Sequence, residues 1–194
     1  NPEKSVRAFA TVTFGDCFKI TNIAVVEGKE NKPFVSMPSF KSKERTEHNE
    51  PVYKDVCNPI TSEFRKELYE AILALYGEMK QSGRTEVSKA AEKPEEPEFR
   101  VAVTPFEREG SNIRGLGRIY FEDSFVVSNV SIIQGKETEF VAMPSYMVKQ
   151  NGKDGKSQYQ DVCFPVTKEF REKLYDALMD CYRMEKEKAM KQGM

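Results

Sequence analysis

The sequence predicts an α+β fold of two homologous lobes, each an antiparallel sheet followed by a C-terminal helix, packed as an intramolecular pseudo-dimer. Three observations predict it. The chain is one unit written twice. GKE at 28–30 returns at 135–137, and FVSMPS at 34–39 returns as FVAMPS at 140–145. YKDVCNPIT at 53–61 returns as YQDVCFPVT at 159–167, and EFRKELYEA at 63–71 as EFREKLYDA at 169–177. Within each copy, β-favouring segments come first and one helical pattern comes last, the order of an α+β unit. Between the copies, residues 81–97 are polar, hold Pro94 and Pro97 and read as a linker. The domains are therefore 1–80, the first copy, and 98–194, the second, joined by the tether 81–97. As a coil that tether spans roughly 20–25 Å, enough for the copies to lie side by side.

Residues 6–14 and 17–26 are rich in Val, Ile, Phe and Thr around Gly15-Asp16, the pattern of a hairpin. Their counterparts, 113–121 and 125–134, turn through Glu122-Asp123-Ser124. A short strand follows at 34–37 and at 140–143, closed by Pro38 or Pro144. Next comes a polar loop, 39–51 or 145–157. Another strand, 52–57 or 158–163, leads through Pro59 or Pro165 into the helix. Thr61 and Thr167 are the N-caps, with Glu63 and Glu169 in the first turn where a carboxylate suits the helix dipole. Phe64, Leu68, Ile72, Leu75 and Met79 form a helical stripe, repeated by Phe170, Leu174, Leu178 and Cys181. The second copy has one element more: Glu98–Phe106 is a strand candidate ahead of the turn 107–112. The first copy opens inside the matching turn, which predicts a further strand of roughly eight to ten residues ahead of Asn1.

Composition narrows the function. Thirty basic and 31 acidic residues give a net charge of -1, so any nucleic-acid site must be a local cluster of cations. No apolar run approaches the ~18 residues of a membrane-spanning helix. Cys17, Cys57, Cys163 and Cys181 contain no close pair, and His48 stands beside none of them. That spacing predicts no metal site, and no cofactor is expected. RGLGR at 114–118 lacks the third glycine of a phosphate loop, and Asp55 and Asp161 have no nucleophile beside them, so no enzyme is predicted.

A hairpin, FVAMPS, a charged loop, an extended segment ending D-V-C-x-P-[IV], and a capped helix with an early Arg and a late Tyr resemble the SpoVG family (stage V sporulation protein G). The likeness covers both copies. It implies a small α+β homodimer turned into a covalent pseudo-dimer, its self-complementary faces retained with pseudo-two-fold symmetry. Further homo-oligomers remain open. It also implies DNA or RNA as partner, no membrane, and a cytoplasmic role in bacterial gene regulation, septation or sporulation. The family contact near the helix start maps to Arg65 and Lys66 in the first copy, and to Lys168, Arg171 and Lys173 in the second.

The loops add their own candidates. Lys41 and Lys43 in the first and Lys149 in the second supply cations for phosphate contact. Tyr53, Tyr159, Phe40 and Tyr146 stand near them as stacking platforms for unpaired bases. Lys66 and Lys173 are equally placed to pair with flanking glutamates. A protein-interaction module using a sheet edge or a helix face is the alternative reading.

Overall fold

The computed structural model describes residues 5–148 and 157–193. Strands β1 (Val6–Phe14) and β2 (Phe18–Glu27) form the first hairpin. Its turn is closed by Cys17 N–H donating to the Phe14 carbonyl at 2.9 Å, with Gly15 and Asp16 both at positive φ. That is the backbone condition of a type I′ turn, whose twist suits the flanking strands. In the second lobe β8 (Ile113–Phe121) and β9 (Phe125–Gln134) repeat the hairpin, with Glu122 and Asp123 at positive φ. Both ladders slip register at matching places, and Asn22 and Asn129 take left-handed φ values of 59° and 58° there. These paired bulges bend β2 and β9 alike.

The short strands β3 (Pro33–Ser36) and β10 (Glu139–Ala142) pair antiparallel with β2 and β9. The polar segment that follows holds strands rather than loop alone, and 149–156 of the second copy lie outside the described residues. In the first lobe β4 (Ser39–Arg45) and β5 (Pro51–Asp55) form a two-stranded ribbon, and in the second β11 (Ser145–Val148) pairs with β12 (Gln158–Asp161). With both faces near water, such a ribbon carries no apolar alternation for a sequence reading to detect. The strands expected at 52–57 and 158–163 also divide, at Val56 and Val162, into a ribbon strand and a separate short strand.

Those short strands, β6 (Cys57–Pro59) and β13 (Cys163–Pro165), cross to the other lobe. Cys57, Asn58 and Pro59 pair with Val127, Val126 and Phe125 of β9. Reciprocally, Cys163, Phe164 and Pro165 pair with Ile20, Lys19 and Phe18 of β2. Flanking bonds extend each exchange: Ser128 N–H to the Val56 carbonyl and Thr21 N–H to the Val162 carbonyl, both 2.8 Å. Each lobe thus completes its sheet with its neighbour's strand, the pseudo-two-fold arrangement expected of a fused dimer.

One core serves both lobes. The Phe18 and Phe121 rings lie 4.7 Å apart and Phe14 and Phe125 5.2 Å apart, at geometries favoured by aromatic pairs. Helices α1 (Ser62–Ser82) and α2 (Lys168–Gln192) start where the caps predict, Thr61 and Thr167 accepting from Phe64 N–H and Phe170 N–H at 3.2 Å. The stripe on α2 ends differently from the sequence pattern. Tyr182, one residue beyond Cys181, is the buried member, because the i+4 step from Leu178 faces the sheet.

The lobes differ at one edge. Strand β7 (Phe99–Pro105) pairs along β8 and lies against α2, so Phe170 and Tyr182 are fully buried. Among the described residues no strand pairs with the outer edge of β1. There Phe9 is 72% exposed, and Phe64 and Tyr76, the counterparts of Phe170 and Tyr182, are only half-buried. The tether ends firmly: Lys173 bonds the Glu96 carboxylate, and Glu122 N–H donates to the Glu98 carbonyl at 3.0 Å.

Candidate nucleic-acid interface

Alternation along β4 and β5 sorts the side chains of the first ribbon onto two faces. Phe40 lies opposite Lys54 on one, where the Lys54 ammonium is neutralised by Glu44 at 2.6 Å. Lys41 lies directly opposite Tyr53 on the other. Tyr53 is 63% exposed, and Lys41, Lys43 and Arg45 form no ion pair among the described residues. The result is an unpaired cation beside an open aromatic ring.

The second ribbon keeps the aromatic half of this arrangement. Tyr159, the counterpart of Tyr53, is also 63% exposed, and it faces Met147 where the first ribbon has Lys41. Tyr146 donates its hydroxyl to Gln160 Oε1 at 2.8 Å, which fixes its ring at the ribbon root. Lys149 lies outside the described residues. The two roots meet: a cleft of about 370 Å³ opens between Ser39 and Phe40 of one ribbon and Ser145 and Tyr146 of the other.

The helix-start cations are placed differently. Arg65 donates through one terminal nitrogen to the Pro59 carbonyl at 3.0 Å, and Arg171 makes the identical bond to Pro165. These carbonyls end the exchanged strands, so each arginine ties its helix to the strand inserted in the other lobe. A guanidinium has five donors, and both side chains remain exposed, so donors are left for a ligand. Asp55 and Asp161 end their ribbon strands; partial desolvation raises each carboxyl pKa, and the nearby Arg65 or Arg171 partly offsets it. Lys168 pairs with Glu172 at 3.8 Å, and Lys173 with Glu96 of the tether rather than with a neighbour on its helix. Lys66 is exposed and forms no ion pair among the described residues.

The structure thus brings Lys41, Lys43 and Tyr53 together on one ribbon, with Arg65 at its foot, while Lys168 and Lys173 are spent on carboxylates. Sequence reasoning missed the cleft residues Asn22, Ser36 and Ser145, which carry no motif: β2 and β3 bring the first two together, and Ser145 reaches them from the other lobe. Among the described residues no helix is long and apolar enough to cross a membrane.

A strand-exchanged α+β pseudo-dimer bearing paired ribbons is the class these features define. Residues 1–78 and 98–184 match the SpoVG family model, and the chain belongs to the SpoVG family as a tandem duplication of its domain. Curated relatives carry the name septation protein SpoVG. That of Treponema denticola is 36% identical over 76 residues, 39% of this chain and 74% of its own length. That of Borrelia hermsii is 40% identical over 76 residues, 39% of this chain and 72% of its own. That of Caldanaerobacter subterraneus is 37% identical over 82 residues, 42% of this chain and 82% of its own.

Proposed function

We propose that this chain is a non-enzymatic regulator of the bacterial cytoplasm that binds single-stranded DNA or RNA along its paired ribbons, in gene regulation, septation or sporulation. The observation that carries the reading is the cross-strand pair Lys41 and Tyr53, repeated in its aromatic half by Tyr159 at the same exposure. A cation for phosphate beside an open ring for a base is the pairing that sequence-tolerant single-strand binders use. Family membership supports it, since relatives bear the name of a septation protein. The net charge of -1 favours a short local contact over a long electrostatic track. Binding of labelled single strands across a salt series tests it. Affinity falling steeply with salt supports the reading, and no binding at low salt rejects it.

A further inference from the structure

The cleft between the ribbon roots is built from counterparts of both copies: Ser39 with Ser145, Phe40 with Tyr146, and Val56 with Val162. Val56, Val162 and Met37 give it a buried apolar floor. Its polar lining is uncharged throughout. The Asn22 amide and the hydroxyls of Ser36, Ser39 and Ser145 have no hydrogen-bond partner within the described residues. Phe40 and Tyr146 add one ring from each lobe to its lining.

An uncharged site with an apolar floor, ring walls and free neutral donors and acceptors does not suit a phosphate or a carboxylate. It suits a flat, uncharged heterocycle with a polar edge. Resting on the single-strand reading of the ribbons, we infer that this cleft takes one nucleobase, turned out of the strand. The Asn22 amide offers both a donor and an acceptor, as the edges of the bases require. Its left-handed backbone, at φ 59°, is set by the bulge in β2.

The site is also lopsided. Asn22, Ala24 and Ser36 of the first lobe line it, and their counterparts Asn129, Ser131 and Ala142 do not. Two identical chains around a true two-fold axis must present both halves alike, and a fused pair need not. The duplication therefore permits a single, oriented base site at the centre of the molecule.

The test uses the full chain, with backbone amide NMR and oligonucleotide binding measured in parallel. Adenosine and cytidine are expected to shift amides at 22–24, 36–40 and 145–146 saturably, and ribose 5-phosphate to leave them unmoved. Ser145→Leu changes an exposed strand residue and fills the cleft, so it should abolish the nucleoside shifts and leave the rest of the spectrum unchanged. It should also weaken a single-stranded oligonucleotide about tenfold, the scale of one lost base contact. Nucleoside shifts outside the cleft, or none while oligonucleotides still bind, would overturn the base site and leave the ribbon reading standing. Saturable nucleoside shifts without oligonucleotide binding would overturn the ribbon reading and keep the site. If Ser145→Leu loses the native spectrum, Ser36→Val supplies the same comparison from the opposite wall, and unchanged nucleoside shifts in it would overturn the site.

Discussion

Cys57 and Cys163, both fully buried, are neighbours at the centre of the exchanged strands, where each thiol lies in the field of the other. Each cysteine belongs to one copy by sequence and to the other lobe by strand pairing. With the Phe18–Phe121 contact, this makes the lobes one cooperative unit. Thermal or denaturant unfolding is expected to show a single transition for both lobes. Two separated transitions, or lobes tumbling independently in NMR relaxation, would contradict the exchange.

Thiol chemistry follows from the same burial. The Cys163 thiol is pushed well up by the neighbouring Cys57 thiol and by desolvation, and Cys17 is pushed up to about 11 by desolvation and the nearby Glu96. Since thiolate is the reactive form, only half-buried Cys181 should react with a thiol reagent in the native chain at neutral pH, and all four after denaturation. Fast labelling of Cys57 or Cys163 in the native state would be the contrary result.

The same shifts set a direction for alkaline stability. The unfolded Cys17 thiol titrates near its ordinary value of 9.0 and the folded one near about 11. The unfolded state therefore releases protons first, and stability falls as pH rises from 9 toward 11. A pH series of unfolding midpoints checks this, and the fall should shrink in Cys17→Ala.

Arg171 and Arg65 are expected to hold the exchanged strands as well as any ligand. Arg171→Ala removes the bond to the Pro165 carbonyl and should cost about 1–2 kcal/mol of stability, with Arg65→Ala similar. Denaturant melts of each variant measure it. A chain as stable as the parent would mean that the bond contributes nothing to the exchange.

Gly15 carries both a turn and a close approach. Its φ is 54°, and a Cβ built there would stand 2.1 Å from the Glu95 carbonyl oxygen of the tether. Gly15→Ala should therefore cost about 1–3 kcal/mol and loosen the tether end, seen as faster amide exchange at 95–98. Unchanged exchange would place the tether elsewhere.

Much of the fold was legible because duplication supplies its own control. Gly15-Asp16, Thr61 and Thr167 carry local chemistry that fixes a turn or a cap whatever surrounds it. The exchange of Cys57–Pro59 and Cys163–Pro165 was not legible, since three residues pair equally well with either lobe until both lobes are folded. The first ribbon strand was missed for a different reason: Lys41, Lys43 and Arg45 are all exposed, so no apolar period marks 39–45 as strand. Of the candidate site, the sequence supplied the cations and rings. Only the register, which sets Lys41 opposite Tyr53 and Lys54 opposite Phe40, separates the free cation from the one that Glu44 neutralises.

The most direct test is the salt dependence of single-strand binding by the full chain, with Lys41→Ala and Tyr53→Ala beside it. The ribbon account predicts that log affinity falls linearly with log salt, by about 0.7 for each phosphate held. Lys41→Ala should lower that slope by about one contact, whereas Tyr53→Ala should lose about tenfold or more in affinity with the slope unchanged. Binding that ignores salt, or both variants binding as the parent does, would contradict it.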